Sequence, residues 1–213
     1  MGAHVLLLTA VMTGAAATVL TPWVQKVANS ESAWFGSRLH VLLAGLGGAI
    51  AGTLAHGWAE LMAFALLALA CALLVVIDLA VYRLPDVIVG PMYPILLVAL
   101  TVQAALDGDW SRLGRAAAAG AVLALGYLVL ALVVPSGLGL GDVKLAGLLG
   151  AFLGWTGWPN VLVGTLIAFA LNGVVAAVLL LSRRLTRKGA TAFGPWMVAG
   201  AAFGAFWAPA LGP

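Results

Sequence analysis

Long apolar runs broken by short polar interruptions follow one another along the whole chain. They lie at about 3–20, 39–56, 59–81, 87–106, 116–134, 142–157, 160–181 and 195–211, and each approaches the length of about 20 residues that a helix needs to cross a hydrocarbon core. The pattern predicts an all-α fold, a polytopic membrane protein of about eight transmembrane helices. The first run has no Lys or Arg before it, and its small residues Gly14 to Ala17 lie inside the apolar segment, so it reads as a retained span rather than a removed leader. Small-residue stretches such as Gly45 to Gly52 and Ala116 to Gly120 predict surfaces where helices pack closely.

Composition sharpens this picture. Of 213 residues, 64% are hydrophobic and 8% charged, where a soluble domain carries roughly 25% charge. Eight spans would use about 160 positions and leave about 50 for loops and ends. The chain is therefore expected to be a single transmembrane domain over 1–213, with no room for a separate soluble domain. The net charge of +3 is small and scattered, which argues against nucleic acid as a partner. The one cysteine, Cys71, lies inside an apolar run, so a disulfide within the chain and a Cys-built zinc site are excluded. No cofactor and no metal are expected.

Charge also sets an expected orientation. If eight spans alternate, one face receives Lys26, Arg38, Arg83, Lys144, Arg183, Arg184, Arg187 and Lys188, and the other only Arg112 and Arg115. The positive-inside rule makes the first face cytoplasmic, which places both termini outside in a multi-pass protein of the cell inner membrane. The Arg183 to Lys188 cluster is suited to anionic membrane lipid. Tryptophans such as Trp23, Trp58, Trp158, Trp196 and Trp207 fall near predicted span ends, as interfacial belts do.

An acid inside an apolar span is costly, so it marks candidate chemistry. Glu31, Glu60, Asp107 and Asp109 fall in polar segments or at span ends and read as surface residues. Asp86, after Pro85, reads as a helix N-cap. Asp78 closes the run Leu73-Leu-Val-Val-Ile-Asp78, and Asp142 ends the glycine-rich Gly139-Leu-Gly-Asp142. By parity both approach the membrane from the cytoplasmic side. Two carboxylates brought together in a low-dielectric cleft cannot both ionise cheaply, so one keeps its proton while the other acts as a base. Such a pair can activate water against a peptide carbonyl. Gly139 and Gly141 would let a substrate backbone approach and let the chain turn tightly. Lys144 reads as a snorkelling cation that could also tune Asp142.

Asp78 with Leu84-Pro85-Asp86, followed by Gly139-Leu-Gly-Asp-Val-Lys-Leu145, resembles the type IV prepilin peptidase family of Gly-x-Gly-Asp intramembrane aspartic proteases. Lys144-Leu-Ala-Gly-Leu-Leu-Gly-Ala-Phe-Leu-Gly154 resembles the family's helix after the second aspartate, and Phe193-Gly194-Pro195 the Phe-Gly-Pro before its last span. The resemblance runs from about residue 70 to 200. It implies Asp78 and Asp142 as the catalytic pair, with Gly139, Gly141, Lys144 and Asp86 shaping the site. It also implies a type IV prepilin or pseudopilin-like precursor as the substrate, cut at its basic leader with the active site facing the cytoplasm.

Two departures from the family pattern stand out. The 22–38 segment is short and lacks the paired cysteines of the two-activity members, so the chain resembles the short, peptidase-only form. After Asp86 come Val89, Gly90 and Pro91, where the family tends to have Thr and then Leu-Pro, and Pro91 predicts a break at the start of the fourth span. An ion-coupled transporter using Asp78 and Asp142 as proton or cation sites is the rival reading, but it would place them near the midplane in broken helices of two related halves. A serine protease built on Ser136 and Lys144 has no supporting motif, and His4, His40 and His56 all lie in the first two spans or their loops.

Overall fold

The computed structural model describes residues 2–30, 32–133, 138–182 and 192–207. Among them every regular element is helical: α1 (Ala3–Ala28), α2 (Ala33–Gly36), α3 (Leu39–Leu54), α4 (Trp58–Val81), α5 (Asp86–Asp107), α6 (Trp110–Val133), α7 (Leu140–Thr156), α8 (Trp158–Leu181) and α9 (Gly194–Trp207). Among the described residues, each of the eight apolar runs forms one helix. The chain is thus an all-α, multi-pass membrane protein. Five helices, α1, α4, α5, α6 and α8, are long and apolar enough to cross a bilayer, whereas α3, α7 and α9 have 16, 17 and 14 residues. Large apolar side chains such as Leu46, Leu106, Leu132 and Leu181 face outward, an arrangement that lipid, not water, solvates. Glu31, Ser136 and the Arg183, Arg184, Arg187 and Lys188 cluster lie outside the described residues.

One helix boundary and one proline expectation are corrected. α1 continues through Pro22 to Ala28, where Asn29 in the left-handed conformation (φ 47°) caps it, so Lys26 sits in a last helical turn rather than in a loop. α5 is continuous through Pro91 and Pro94, without the expected break. Each proline forfeits one backbone hydrogen bond, and apolar helices in membranes absorb such losses locally.

The helices form two compact units, residues 1–113 and 114–213. In the first, α3 packs on α1 and α4, and α4 on α5. The Thr9 and Thr13 hydroxyls donate across to the Gly48 and Ala44 carbonyls of α3 at 2.9 and 2.7 Å. A Cβ added at Gly52 would stand 2.8 Å from the Leu6 backbone, so the expected small-residue surface of α3 is a true helix contact. Asp78 lies on α4, every residue of which from Ala70 to Asp78 is buried.

Glu60 is the largest correction in this unit, since it is fully buried rather than on the surface. Its carboxylate accepts the His56 backbone N–H at 2.6 Å and pairs with Arg112 at 3.1 Å. The cause is the α5–α6 hairpin, which turns at Gly108 (φ 70°) and returns Arg112 over the start of α4. Gln103 donates to both Asp107 oxygens at 3.0 Å beside this pair. Asp109, at the mouth of the hairpin, accepts from the Ser111 hydroxyl at 2.5 Å and the Arg112 backbone N–H at 3.2 Å. It thereby caps α6, and the Ser111 bond holds its carboxyl below the usual range.

In the second unit α6 and α7 meet backbone to backbone. A Cβ on Gly120 would lie 2.9 Å from the Gly147 carbonyl oxygen, and one on Gly150 2.8 Å from that of Ala119. Arg115 closes the contact, its guanidinium donating to the Gly154 and Trp155 carbonyls at 2.7 and 3.1 Å. A cation thus satisfies the C-terminal end of α7. α8 and α9 are joined the same way, with Gly164 and Gly204 in backbone contact.

These contacts predict two stability effects. Gly150→Ala should force α6 and α7 apart at a cost of about 1–3 kcal/mol, read as a lower unfolding midpoint in detergent, while Gly126→Ala, where a Cβ meets nothing within 4 Å, should not move it. Glu60→Ala should strip Arg112 of its buried partner and cost about 3 kcal/mol in the same measurement.

Candidate active site

The first unit carries Asp78 and Asp86. Asp78 lies in the last turn of α4 with its residue 5% exposed, behind Val75, Val76 and Ile77, all buried. Its backbone carbonyl accepts from Tyr82, which ends the helix in the left-handed conformation (φ 54°). The chain then crosses Arg83, Leu84 and Pro85 and enters α5. The expected N-cap role of Asp86 is corrected: Pro85 stands at the N-cap and Asp86 is the first helical residue, because proline's fixed φ suits the entry to a helix. Asp86 is exposed while Asp78 is buried. The two acids nearest the α4–α5 turn therefore differ sharply in solvation.

The second unit carries the Gly-x-Gly-Asp segment. Gly139 is the N-cap of α7 and Asp142 occupies the third helical position. The Asp142 carboxylate reaches back through Oδ2 to accept the Gly139 backbone N–H at 2.9 Å, the acidic half of a capping box. Gly139 has φ −90° and ψ 159°, a conformation open to any residue, so it does not make the tight turn expected of it. A Cβ there would meet nothing closer than Asp142 Oδ2 at 3.6 Å. What glycine supplies is open space beside the carboxylate. Gly141 lies inside the first turn, and Lys144 is exposed on the turn that follows. Behind them α7 is buried without interruption from Leu145 to Trp155.

Phe193-Gly194-Pro195 also takes a defined place. Phe193 precedes α9 and its carbonyl accepts from Trp196 and Met197, with Pro195 in the first turn, where its missing N–H costs nothing. The Phe193 ring is buried against Tyr127 of α6 and Phe169 of α8, centroids 6.0 and 5.3 Å away, and Tyr127 and Phe169 are 5.5 Å apart. The sequence reading missed this cluster. Its signal was Tyr127, the one hydroxyl-bearing residue in the apolar run 116–134.

The model of the type IV leader peptidase family matches residues 64–181. That stretch contains Asp78, Asp86, Gly139, Gly141, Asp142 and Lys144. The chain is similar to a protein named prepilin leader peptidase/N-methyltransferase from Burkholderia pseudomallei, 34% identical over 177 residues, which is 78% of this chain and 54% of that relative. One of the same name from Aeromonas hydrophila is 34% identical over 181 residues, 81% of this chain and 58% of the relative. A third, from Escherichia coli K12, is 34% identical over 127 residues, 59% and 54% of the two chains. The chain spans about half the length of the curated relatives it matches. No solved structure gives a significant match.

Proposed function

The chain belongs to the type IV leader peptidase family, and from that membership we propose that it is an aspartic endopeptidase that removes the basic leader from type IV pilin-like precursors. The observation that carries this reading is the pair of acids inside the family match. Asp78 ends the most enclosed stretch of α4, and Asp142 opens α7 beside a glycine that leaves room at its carboxylate. α4 and α7 are both uninterrupted helices, which speaks against the broken-helix site of a transporter.

In the proposed reaction Asp78 and Asp142 divide the acid–base work, one ionised and one protonated. The ionised carboxylate takes a proton from water, and the resulting hydroxide attacks the scissile carbonyl carbon. The protonated partner gives its proton to the carbonyl oxygen. The tetrahedral intermediate collapses with the proton passed to the leaving amine, which frees leader and mature chain. Because Oδ2 of Asp142 is engaged with the Gly139 N–H, Oδ1 is the oxygen offered to water. Gly139 and Gly141 give the substrate backbone its approach, and Lys144 and Asp86 shape the rim. The substrate lies as an apolar helix in the bilayer, its Lys/Arg-rich leader in the cytoplasm. Single substitutions test the pair: Asp78→Asn and Asp142→Asn should each abolish shortening of a co-expressed pilin-like precursor while the protein remains inserted, and appreciable processing by either would remove that residue from the machinery. Asp86→Asn should retain most activity. The 22–38 segment is too short to fold by itself and holds no cysteine, so we read the activity as cleavage without methyl transfer. Mass spectrometry of the product made with S-adenosylmethionine present should find a free, unmethylated amino terminus.

The site is proposed to open to the cytoplasm in the inner membrane, with both termini on the opposite side and anionic lipid near the basic cluster. Thiol labelling in a Cys71→Ala background tests this orientation. Ser111→Cys should react with an impermeant reagent in intact cells and Ser182→Cys should not; the reverse pattern would put the aspartates on the other face.

A further inference from the structure

Beyond Arg115, the titratable side chains among the described residues of the second unit are three: Tyr127, Asp142 and Lys144. α8 and α9 contribute none. Tyr127 is 4% exposed, deep among apolar groups, and a buried phenol needs a polar neighbour for its O–H. Thr165 of α8 lines the same shallow depression as Tyr127, and the placement of Tyr127 against α7 supplies a charged acceptor as well. Asp142, Ala146, Leu149 and Leu153 recur at the spacing of one face of α7. The last three of these line a shallow depression together with Leu123 and Tyr127 of α6, so Tyr127 lies along the face that begins with the carboxylate. The Asp142 charge is within electrostatic reach of the phenol. Phe169 and Phe193 hold the Tyr127 ring from two further helices.

We propose that Tyr127 is a positioning residue for Asp142, its phenol donating a hydrogen bond to the carboxylate during turnover and fixing the rotamer in which Asp142 meets water. The role rests on the reading of Asp142 as one of the catalytic pair. It also gives the Phe-Gly-Pro segment a task, because Phe193 anchors the start of α9 against the ring that must stay in place. The other groups that bear on Asp142 are the Gly139 N–H, Lys144 two residues along α7 and, in the proposed reaction, Asp78 as the second acid. None of them substitutes for a hydroxyl held on a neighbouring helix.

Tyr127→Phe in the full chain, purified in detergent and assayed on a pilin-like precursor, removes only the hydroxyl. The expected result is a fall in kcat of about tenfold, KM within about twofold, and an unchanged unfolding midpoint. With the donor gone the ionised carboxylate is harder to maintain, so the acid limb of the rate profile should move to higher pH. A variant with wild-type kcat and pH profile overturns the proposal, as does one that loses activity only in step with its unfolding midpoint. Asp142→Asn in the same assay separates the two readings. If it cleaves, the catalytic assignment falls; if it is inactive while Tyr127→Phe behaves as wild type, only the role of Tyr127 falls.

Discussion

A polypeptide in a bilayer has no water to satisfy its backbone, and lipid tails give two helices no hydrophobic reason to meet. Both halves of that constraint shape this chain. The first makes every apolar run a helix and carries α1 and α5 through three prolines. The second leaves close packing and polar contacts as the means of joining helices. Hence Gly120, Gly150, Gly164 and Gly204 are sites where backbones touch, and threonine hydroxyls cross from α1 to the carbonyls of α3. The same constraint makes a buried acid conspicuous, since Glu60 is held by Arg112 and the His56 N–H. Asp78 closes the stretch of α4 from Ala70 onward that is buried throughout.

Much of this was legible in the sequence because periodicity and hydrophobicity are local. The eight runs, the small-residue packing surfaces of α3 and α6 and the placing of Asp78 and Asp142 at helix ends could all be read from neighbouring residues. What could not be read depends on distant parts of the chain. Glu60 looks like a surface residue until the hairpin returns Arg112 from 52 positions later. Pro91 looks like a break until the surrounding apolar helix absorbs the lost bond. Gly139 looked like a turn residue, yet its backbone is ordinary and only its missing side chain matters. Tyr127 was invisible as part of a cluster because its partners come from α8 and from the residue before α9.

The candidate acids illustrate how one residue type acquires different characters. Glu60 and Asp109 are spent on structure, one gripping a cation and the other capping a helix and accepting a hydroxyl proton donor. Asp86 opens a helix in the open. Asp142 is half committed, with one oxygen bound to its own helix start. A carboxylate anchored by one oxygen has a defined direction for the other, which is what general acid–base chemistry asks of it.

Arg115 also sets a length. Its guanidinium clasps the last carbonyls of α7, while Gly120 and Gly150 let the two backbones lie in contact. From that clasp at Gly154 back to Asp142 runs about 18 Å of helix at 1.5 Å per residue. α7 is therefore a measuring rod fixed at its far end, and the depth at which Asp142 stands is metered from Arg115. One residue added to the rod would shift the carboxylate by about 1.5 Å along the axis and swing it through about 100°, off the face it shares with Ala146. An insertion between clasp and carboxylate therefore displaces the acid, whereas one in a connection outside that span leaves it where it stands.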